Sequence, residues 1–172
     1  MYSAYLLLKK DFPNLKAILP IAESIEDSFI QKCLPLDNGL IFVRGNAREV
    51  LSISDIAVVT SGTVTVEASL EQVPFVVCYK FSKVTYYLAR FFVKGVKWFS
   101  LSNIIVNQEL VKELFQNEVT PSNIASELKI YINSKSEKKK MMQKLSLVEQ
   151  ELVSKDNNHG LHPAKKVAQM IL

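Results

Sequence analysis

Short apolar runs and amphipathic stretches alternate from the first residues of the chain. "YSAYLLLKK" has helical spacing, "DFPN" is a turn, and "LKAILPIA" is a short apolar run that ends at Pro20 as a buried strand would. "SIEDSFIQKCL" reads as a helix with Ser24 as its candidate N-cap, followed by the turn "PLDNG" and the strand "LIFVRG". "NAREVLSI" predicts a short helix, "DIAVVT" a strand, "TVTVEASLEQ" a helix and "PFVVCYK" a further strand. Buried strands and helices alternating at such close intervals predict an α/β fold with a parallel sheet covered on both faces.

Beyond Lys80 the pattern changes. "FSKVTYYLARFFVKGVKWFSLSNII" predicts a helix rich in aromatics and spaced cations, then a loop, and "ELVKELFQ" a short helix. "TPSNIASELKIYINS" predicts a longer helix with Thr120 as cap and Pro121 at the first helical position. "SEKKKMMQKLSLVEQELVS" is a strongly charged helix. The polar, Gly-ended "SKDNNHG" is the one plausible internal boundary, which predicts a lobe over 1–154 and an appended helix over 155–172 built on "PAKKVAQMIL". No internal repeat is visible.

Composition narrows this picture. At 172 residues and 48% hydrophobic, the chain has room for one ordinary domain with a real core, which excludes whole-chain disorder. Lys9, Lys10 and Asp11 interrupt the opening "AYLLL", so no secretory leader is expected and the product is expected in the cytosol. The greasy run from Val84 to Val93 is broken by Arg90 and falls short of the roughly 20 residues a bilayer needs, so membrane contact is expected to be peripheral. Cys33 and Cys78 have no CxxC spacing and read as reduced thiols, and no zinc site is expected. The net charge of +4 favours anionic partners without naming one.

The candidate chemistry lies at "SDIAVVTSGTVTVEASL". A strand that gives way to a helix across Ser61-Gly62-Thr63 places the free N–H groups of the helix at the carboxyl end of a parallel sheet, where they attract an anion, typically phosphate. A side chain at Gly62 would keep that phosphate off the backbone. Glu67 is not explained as a cap, because Val64 and Val66 occupy the capping-box positions after Ser61 and Thr63. It stands four residues after Thr63 on the same helix face, while Val66, Leu70 and Val73 are expected to form the core stripe. A carboxylate there suits a ribose diol, and a solvated helix carboxylate is the plainer alternative. The chain carries neither GxGxxG nor a P-loop, and no DxD pair, so no metal or other cofactor is expected, and helix ends and cations would neutralise a diphosphate.

From "FPNLKAILPIA" through "SDIAVVTSGTVTVE", "VPFVVCYKFSKVTYYLARFFVK" and "SLSNIIVNQELVKELFQNEVTP" to "PAKKVAQMIL", the chain resembles the lipid-A-disaccharide synthases, bacterial glycosyltransferases of the two-lobed GT-B type. The resemblance covers nearly the whole chain but only the second half of a family member. It implies a Rossmann-like C-terminal lobe, α/β/α in three layers with trailing helices, that binds the UDP part of UDP-2,3-diacylglucosamine. The family transfers diacylglucosamine to 2,3-diacylglucosamine 1-phosphate, an acceptor of the lipid X type, with inversion, and releases UDP. By position, Ser61, Gly62, Thr63 and Thr65 match the diphosphate-side motif and Glu67 the ribose-side carboxylate. Asn103, Glu113 and Gln116 fall beside the donor. The bland alternatives are a turn asparagine for Asn103 and a solvated helix face for Glu113 and Gln116. Two departures stand out. Ser102 replaces the proline of the family's Ser-Leu-Pro-Asn, and the strand with the Gly-Ser-Arg loop that opens the family's lobe lies before this sequence. The resemblance also assigns the general base and acceptor site to a missing N-terminal lobe, which makes the chain by itself inactive, and allows a homodimer through the C-terminal helices.

Lys80, Lys83, Arg90, Lys94 and Lys97 alternate with aromatics that include Trp98. Lys83, Arg90, Lys94, Lys97 and Trp98 are the candidate contacts with an anionic membrane surface, here the inner membrane, although a core helix with a basic edge fits the same pattern. Nucleic acid is disfavoured, since no RNP-like strand or helix-turn-helix accompanies the stretch. His159 and His162 receive no role. Two other readings stay open: the lobe of a different GT-B UDP-sugar transferase or epimerase, and a non-catalytic membrane-surface module with a decayed site.

Overall fold

The structure is a computed structural model and describes residues 1–34, 39–60, 62–81 and 97–157, the last three by backbone alone. Helix α1 (Tyr2–Asp11) buries Ala4, Tyr5 and Leu8 along one stripe and ends in Lys9 and Lys10, which suit the negative end of its dipole. Strand β1 (Ala17–Ile21), helix α2 (Asp27–Cys33), strand β2 (Leu40–Arg44) and helix α3 (Ala47–Ser52) follow. Next come β3 (Ala57–Val59), α4 (Val64–Leu70) and β4 (Phe75–Tyr79). The described chain closes with α5 (Leu101–Val106), β5 (Glu113–Phe115), a 3-10 turn over Gln116–Glu118, α6 (Pro121–Asn133) and α7 (Lys135–Asn157).

Every strand pairing is parallel. β1 lies beside β2 with Ala17 opposite Leu40, and β4 lies between β3 and β5, with Ala57 opposite Phe75 and Val77 opposite Glu113. Among the described residues these form two sheets, β1-β2 and β3-β4-β5. β4 is buried along its whole length, and its side chains alternate between two cores. Phe75, Val77 and Tyr79 join Leu51, Ala68, Ile105, Leu145 and Val148 on the face covered by α3, α4, α5 and α7. Val76 and Cys78 join Ala4, Leu8, Ile124, Ala125 and Leu128 under α1 and α6. The result is the α/β, Rossmann-like three-layer arrangement expected, with α6 and α7 trailing. Thr120 caps α6 by accepting the Asn123 N–H at 3.2 Å, with Pro121 in the first turn.

Several expected elements differ. "ELVKELFQ" is not a helix: Leu110, Val111 and Leu114 are buried and Glu113–Phe115 pairs with β4, because a wholly buried strand needs a ladder partner more than a short segment needs its helical period. "SLSNII" is helix α5 rather than loop, started by Ser100, whose Oγ accepts the Asn103 N–H at 3.2 Å. Ser24 does not cap α2, which starts after Glu26, since Ile25 N–H bonds Ala22 O and closes a turn first. The strand at Pro20 is not buried as expected, for Leu19 and Pro20 are exposed. In α4 the inward stripe is Thr65, Ala68 and Ser69, while Leu70 is 41% exposed. On that stripe Thr65 and Ser69 meet Ser102 of α5 through hydrogen bonds, and Ala68 joins the core under α7.

Helix α7 continues to Asn157, past the residue 154 boundary expected from composition, and 158–172, with His159, His162 and "PAKKVAQMIL", lie outside the described residues. Most of the cationic aromatic stretch, 82–96, also lies outside them. No described helix is long and apolar enough to cross a membrane.

Leu145 and Val148 are completely buried in α7, whereas Val153 in the same helix is 52% exposed. Leu145→Ala is expected to lower unfolding free energy by about 2–5 kcal/mol in urea titrations, and Val153→Ala by less than about 0.5 kcal/mol. Cys33 is exposed, and burial pushes the Cys78 thiol up to about 11. At pH 8 a chromogenic disulfide reagent should therefore titrate one thiol in the native chain and the second only after unfolding.

Candidate nucleotide site at the carboxyl end of the sheet

The turn after β3 forms because Gly62 adopts φ +117, which side-chain-bearing residues rarely take. Among the described residues a Cβ built on Gly62 would meet nothing within 4 Å, so the constraint on glycine there is conformational. Thr63 opens α4 with no side-chain cap and is exposed. The first turn is closed by Thr65 N–H to Gly62 O at 3.2 Å and Glu67 N–H to Thr63 O at 3.1 Å. Ser61 lies outside the described residues.

Thr65 points inward. Its side chain is fully buried, its Oγ1 donates to Gly62 O at 2.9 Å, and its own carbonyl meets Ser69 Oγ at 2.9 Å and Ser102 Oγ at 2.8 Å. Ser69 Oγ and Ser102 Oγ also lie 2.9 Å apart. Two hydroxyl protons thus serve three short contacts around one carbonyl, fastening α5 to α4 and holding the Gly62 turn from beneath.

Asn103 is also fully buried and spends its side chain completely within the chain. Its Oδ1 accepts Leu110 N–H at 2.8 Å and Val111 N–H at 2.9 Å, while its Nδ2 donates to Val111 O at 2.9 Å and to Glu113 Oε1 at 2.8 Å. The Glu113 carboxylate accepts in addition Ser100 N–H at 2.8 Å and Phe99 N–H at 3.0 Å. Asn103 and Glu113 are therefore brought together, but toward each other and the 99–100 backbone. Gln116, at φ +41 just past β5, clips the end of β4 by accepting Phe81 N–H at 3.1 Å and donating to Phe81 O at 3.3 Å. The Gly62 turn after β3 and Gln116 just past β5 lie at the carboxyl ends of the parallel strands, the edge where open α/β sheets bind ligands, while the 99–103 segment is held to Glu113 at the start of β5.

Glu67 is half-buried; its backbone bonds within the helix, to Thr63 O and from Glu71 N–H, and its carboxylate makes no hydrogen bond among the described residues. Its charge reaches Arg48 of α3, whose guanidinium is held above its ordinary range first by the 2.8 Å bond to Glu71, then by Glu49 and Glu67. Glu67 is thus available to a hydroxyl donor while lying in a cation's field. Of the cationic stretch, Lys97 Nζ stands 5.1 Å from the Trp98 ring, and Trp98 Nε1 is buried without a partner among the described residues; Lys83, Arg90 and Lys94 lie outside them. No three His, Cys, Asp or Glu side chains converge as a metal cluster among the described residues.

The family model described as Lipid-A-disaccharide synthetase matches residues 1–167. The chain belongs to the lipid-A-disaccharide synthase family. Relatives named Lipid-A-disaccharide synthase include that of Colwellia psychrerythraea, 48% identical over 88 residues, covering 51% of this chain and 22% of the relative. That of Myxococcus xanthus is 39% identical over 131 residues, 75% of this chain and 34% of the relative, and that of Blochmanniella pennsylvanica 34% over 132 residues, 76% and 34%. The chain thus spans about a third or less of the length of these curated relatives. Ser102, where the resemblance implies a proline, ties the Asn103 segment to the Gly62 turn: its hydroxyl donates to Thr65 O at 2.8 Å.

Sequence reasoning missed Ser69, Ser100 and the ring cluster of Tyr79, Phe99 and Phe115, with centroids 4.5 to 5.9 Å apart. Ser100 carried a signal, the Ser-x-x-Asn of a helix start. The rings, 16 to 36 residues apart in sequence, carried none.

Asn103→Ala would leave Leu110 and Val111 N–H buried without an acceptor, each costing about 1–3 kcal/mol. The expected outcome is a drop of at least about 2 kcal/mol in urea titrations, with faster amide exchange at Leu110 and Val111.

Proposed function

We propose that this chain is the donor-nucleotide lobe of an inverting glycosyltransferase of lipid A biosynthesis. The reading is that the whole enzyme transfers diacylglucosamine from UDP-2,3-diacylglucosamine to 2,3-diacylglucosamine 1-phosphate and releases UDP, as the name of the family describes for the disaccharide product. The observation that carries it is the family match over 1–167 together with the Gly62 turn at the carboxyl end of a parallel sheet.

In this reading the Ser61-Gly62-Thr63 turn receives the diphosphate, with Thr63 exposed and Thr65 shaping the turn from inside. Glu67 accepts hydrogen bonds from the ribose diol. Asn103 and Glu113 act on the donor through the 99–100 backbone that they hold, and Gln116 through the end of β4. A leaving diphosphate needs its developing charge stabilised where it forms, and preorganised N–H groups do this without reorganising. Inversion also needs a base to take the acceptor hydroxyl proton, which this reading assigns to another lobe. Lys97 and Trp98, with Lys83, Arg90 and Lys94, would hold the lobe at an anionic membrane surface where acylated substrates reside.

The test is a titration of the isotope-labelled chain with UDP, followed by amide NMR. UDP is expected to move the Gly62, Thr63 and Val64 resonances, and Glu67→Ala to weaken that response at least about tenfold while leaving it intact for inorganic diphosphate. An unmutated chain whose Gly62–Val64 resonances ignore UDP would overturn the reading in favour of a non-catalytic surface module.

A further inference from the structure

Two buried hydroxyls sit where α4 and α5 meet. Ser69 is 1% exposed and Ser102 is completely buried, so neither hydroxyl faces water. Ser69 Oγ lies 2.9 Å and Ser102 Oγ 2.8 Å from Thr65 O, and the two hydroxyl oxygens lie 2.9 Å from each other. Each hydroxyl has one proton to donate and the carbonyl has none. Two protons cannot fill three contacts at once, so where one hydroxyl points depends on the other, whichever contact goes without. Removing either hydroxyl therefore changes what its neighbour can do.

The triangle stands between two sets of hydrogen bonds. On the α4 side, Thr65 N–H and Oγ1 both donate to Gly62 O, at 3.2 Å and 2.9 Å. No peptide bond among the described residues is cis, and a trans peptide points its carbonyl and its N–H in opposite directions. Gly62 O held against Thr65 thus aims the Thr63 N–H the other way, off the start of the helix. On the α5 side, Ser102 precedes Asn103, whose side chain bonds Leu110, Val111 and Glu113. Glu113 in turn accepts the Phe99 and Ser100 N–H groups. The backbone that orients Thr63 N–H and the backbone gathered by Glu113 are tied through two hydroxyl protons.

We propose that Ser69 and Ser102 form a latch that couples the Gly62 turn to the Asn103–Glu113 network, and that both are positioning residues of the candidate nucleotide site. The positioning role rests on the UDP reading, the latch on the hydrogen bonds alone. Both serines lie at Thr65 O, one turn inside α4, so their effect on a ligand runs through the turn. With the latch closed, Thr63 N–H is presented from a peptide whose carbonyl is fixed, and a diphosphate meets a donor already in place. With it broken, α4 and α5 shift independently. The competent turn is then only part of the population, and apparent affinity falls by that fraction. The coupling is reciprocal: an anion on the turn tightens the Asn103–Glu113 network by the factor by which that network tightens the anion.

The test uses the isotope-labelled full chain with Ser69→Ala, Ser102→Ala and the two combined. In urea titrations, the loss in folding constant of the double variant is expected to differ from the product of the single losses by at least about threefold, as for residues of one network. In UDP titrations followed at Gly62, Thr63 and Val64, the Kd of each single variant is expected to rise at least about threefold. UDP is also expected to move the Asn103 side-chain amide resonances in the unmutated chain and to leave them in place in Ser102→Ala at saturation. A pair with a merely structural role would lower stability and leave the UDP response of the folded chain as it was. Losses that multiply without any coupling, an unchanged Kd in both single variants, or an Asn103 amide that follows UDP equally in Ser102→Ala would each overturn the proposal. A chain whose Gly62–Val64 resonances ignore UDP overturns the nucleotide reading instead, and the folding-constant comparison alone then decides the latch.

Discussion

Everything in this lobe depends on β4 being buried on both faces at once. Because successive side chains of a strand point to opposite sides, five residues serve two cores: Phe75, Val77 and Tyr79 bind one layer of helices and Val76 and Cys78 the other. A strand in that position has no water to satisfy its backbone, so both of its edges must be paired. That requirement draws β3 to one side and β5 to the other, and it is why "KELF" ends up extended in spite of its helical spacing.

Fixing β5 in turn fixes the polar network above it. With Glu113 at the start of β5, its carboxylate meets two backbone N–H groups of 99–100 and the Asn103 amide, so a charge sits where three donors converge. Asn103 then anchors 110–111, and Ser102 reaches across to Thr65 O. The candidate site is thus supported from below by Thr65, Ser102, Asn103 and Glu113, whose hydrogen bonds tie the 99–103 segment, 110–111 and the Gly62 turn to one another. Rigid support of this kind is what a preorganised binding edge needs.

The alternation of elements was legible because strands and helices here have strong periods: "PFVVCYK" and "NAREVLSI" announce themselves, and so do the Thr120-Pro121 start and the Ser61-Gly62-Thr63 turn. The family resemblance was legible through motifs in order, and the family match bears it out. Where expectation and structure part, a neighbour distant in sequence decided. Leu70 was placed in the core by its spacing from Val66 and Val73, but the packing of α5 against α4 favours Thr65, Ala68 and Ser69 on that side. Asn103 and Glu113 were named only through the family resemblance, and their mutual contact and their partners, 110–111 and 99–100, are set by where β5 docks.

By itself, then, the sequence determined most of the local elements up to β4, the parallel α/β class, the Gly62 turn and the family, since these rest on short-range periodicity, backbone freedom and ordered motifs. The tertiary structure alone decided which face of α4 is buried, that 113–115 is a strand, and how Thr65, Ser102, Asn103 and Glu113 divide their hydrogen bonds. The physical reason is common to all three. Burial and hydrogen-bond satisfaction are properties of what lies opposite a residue in space, and a period of 2 or 3.6 says only which residues share a face.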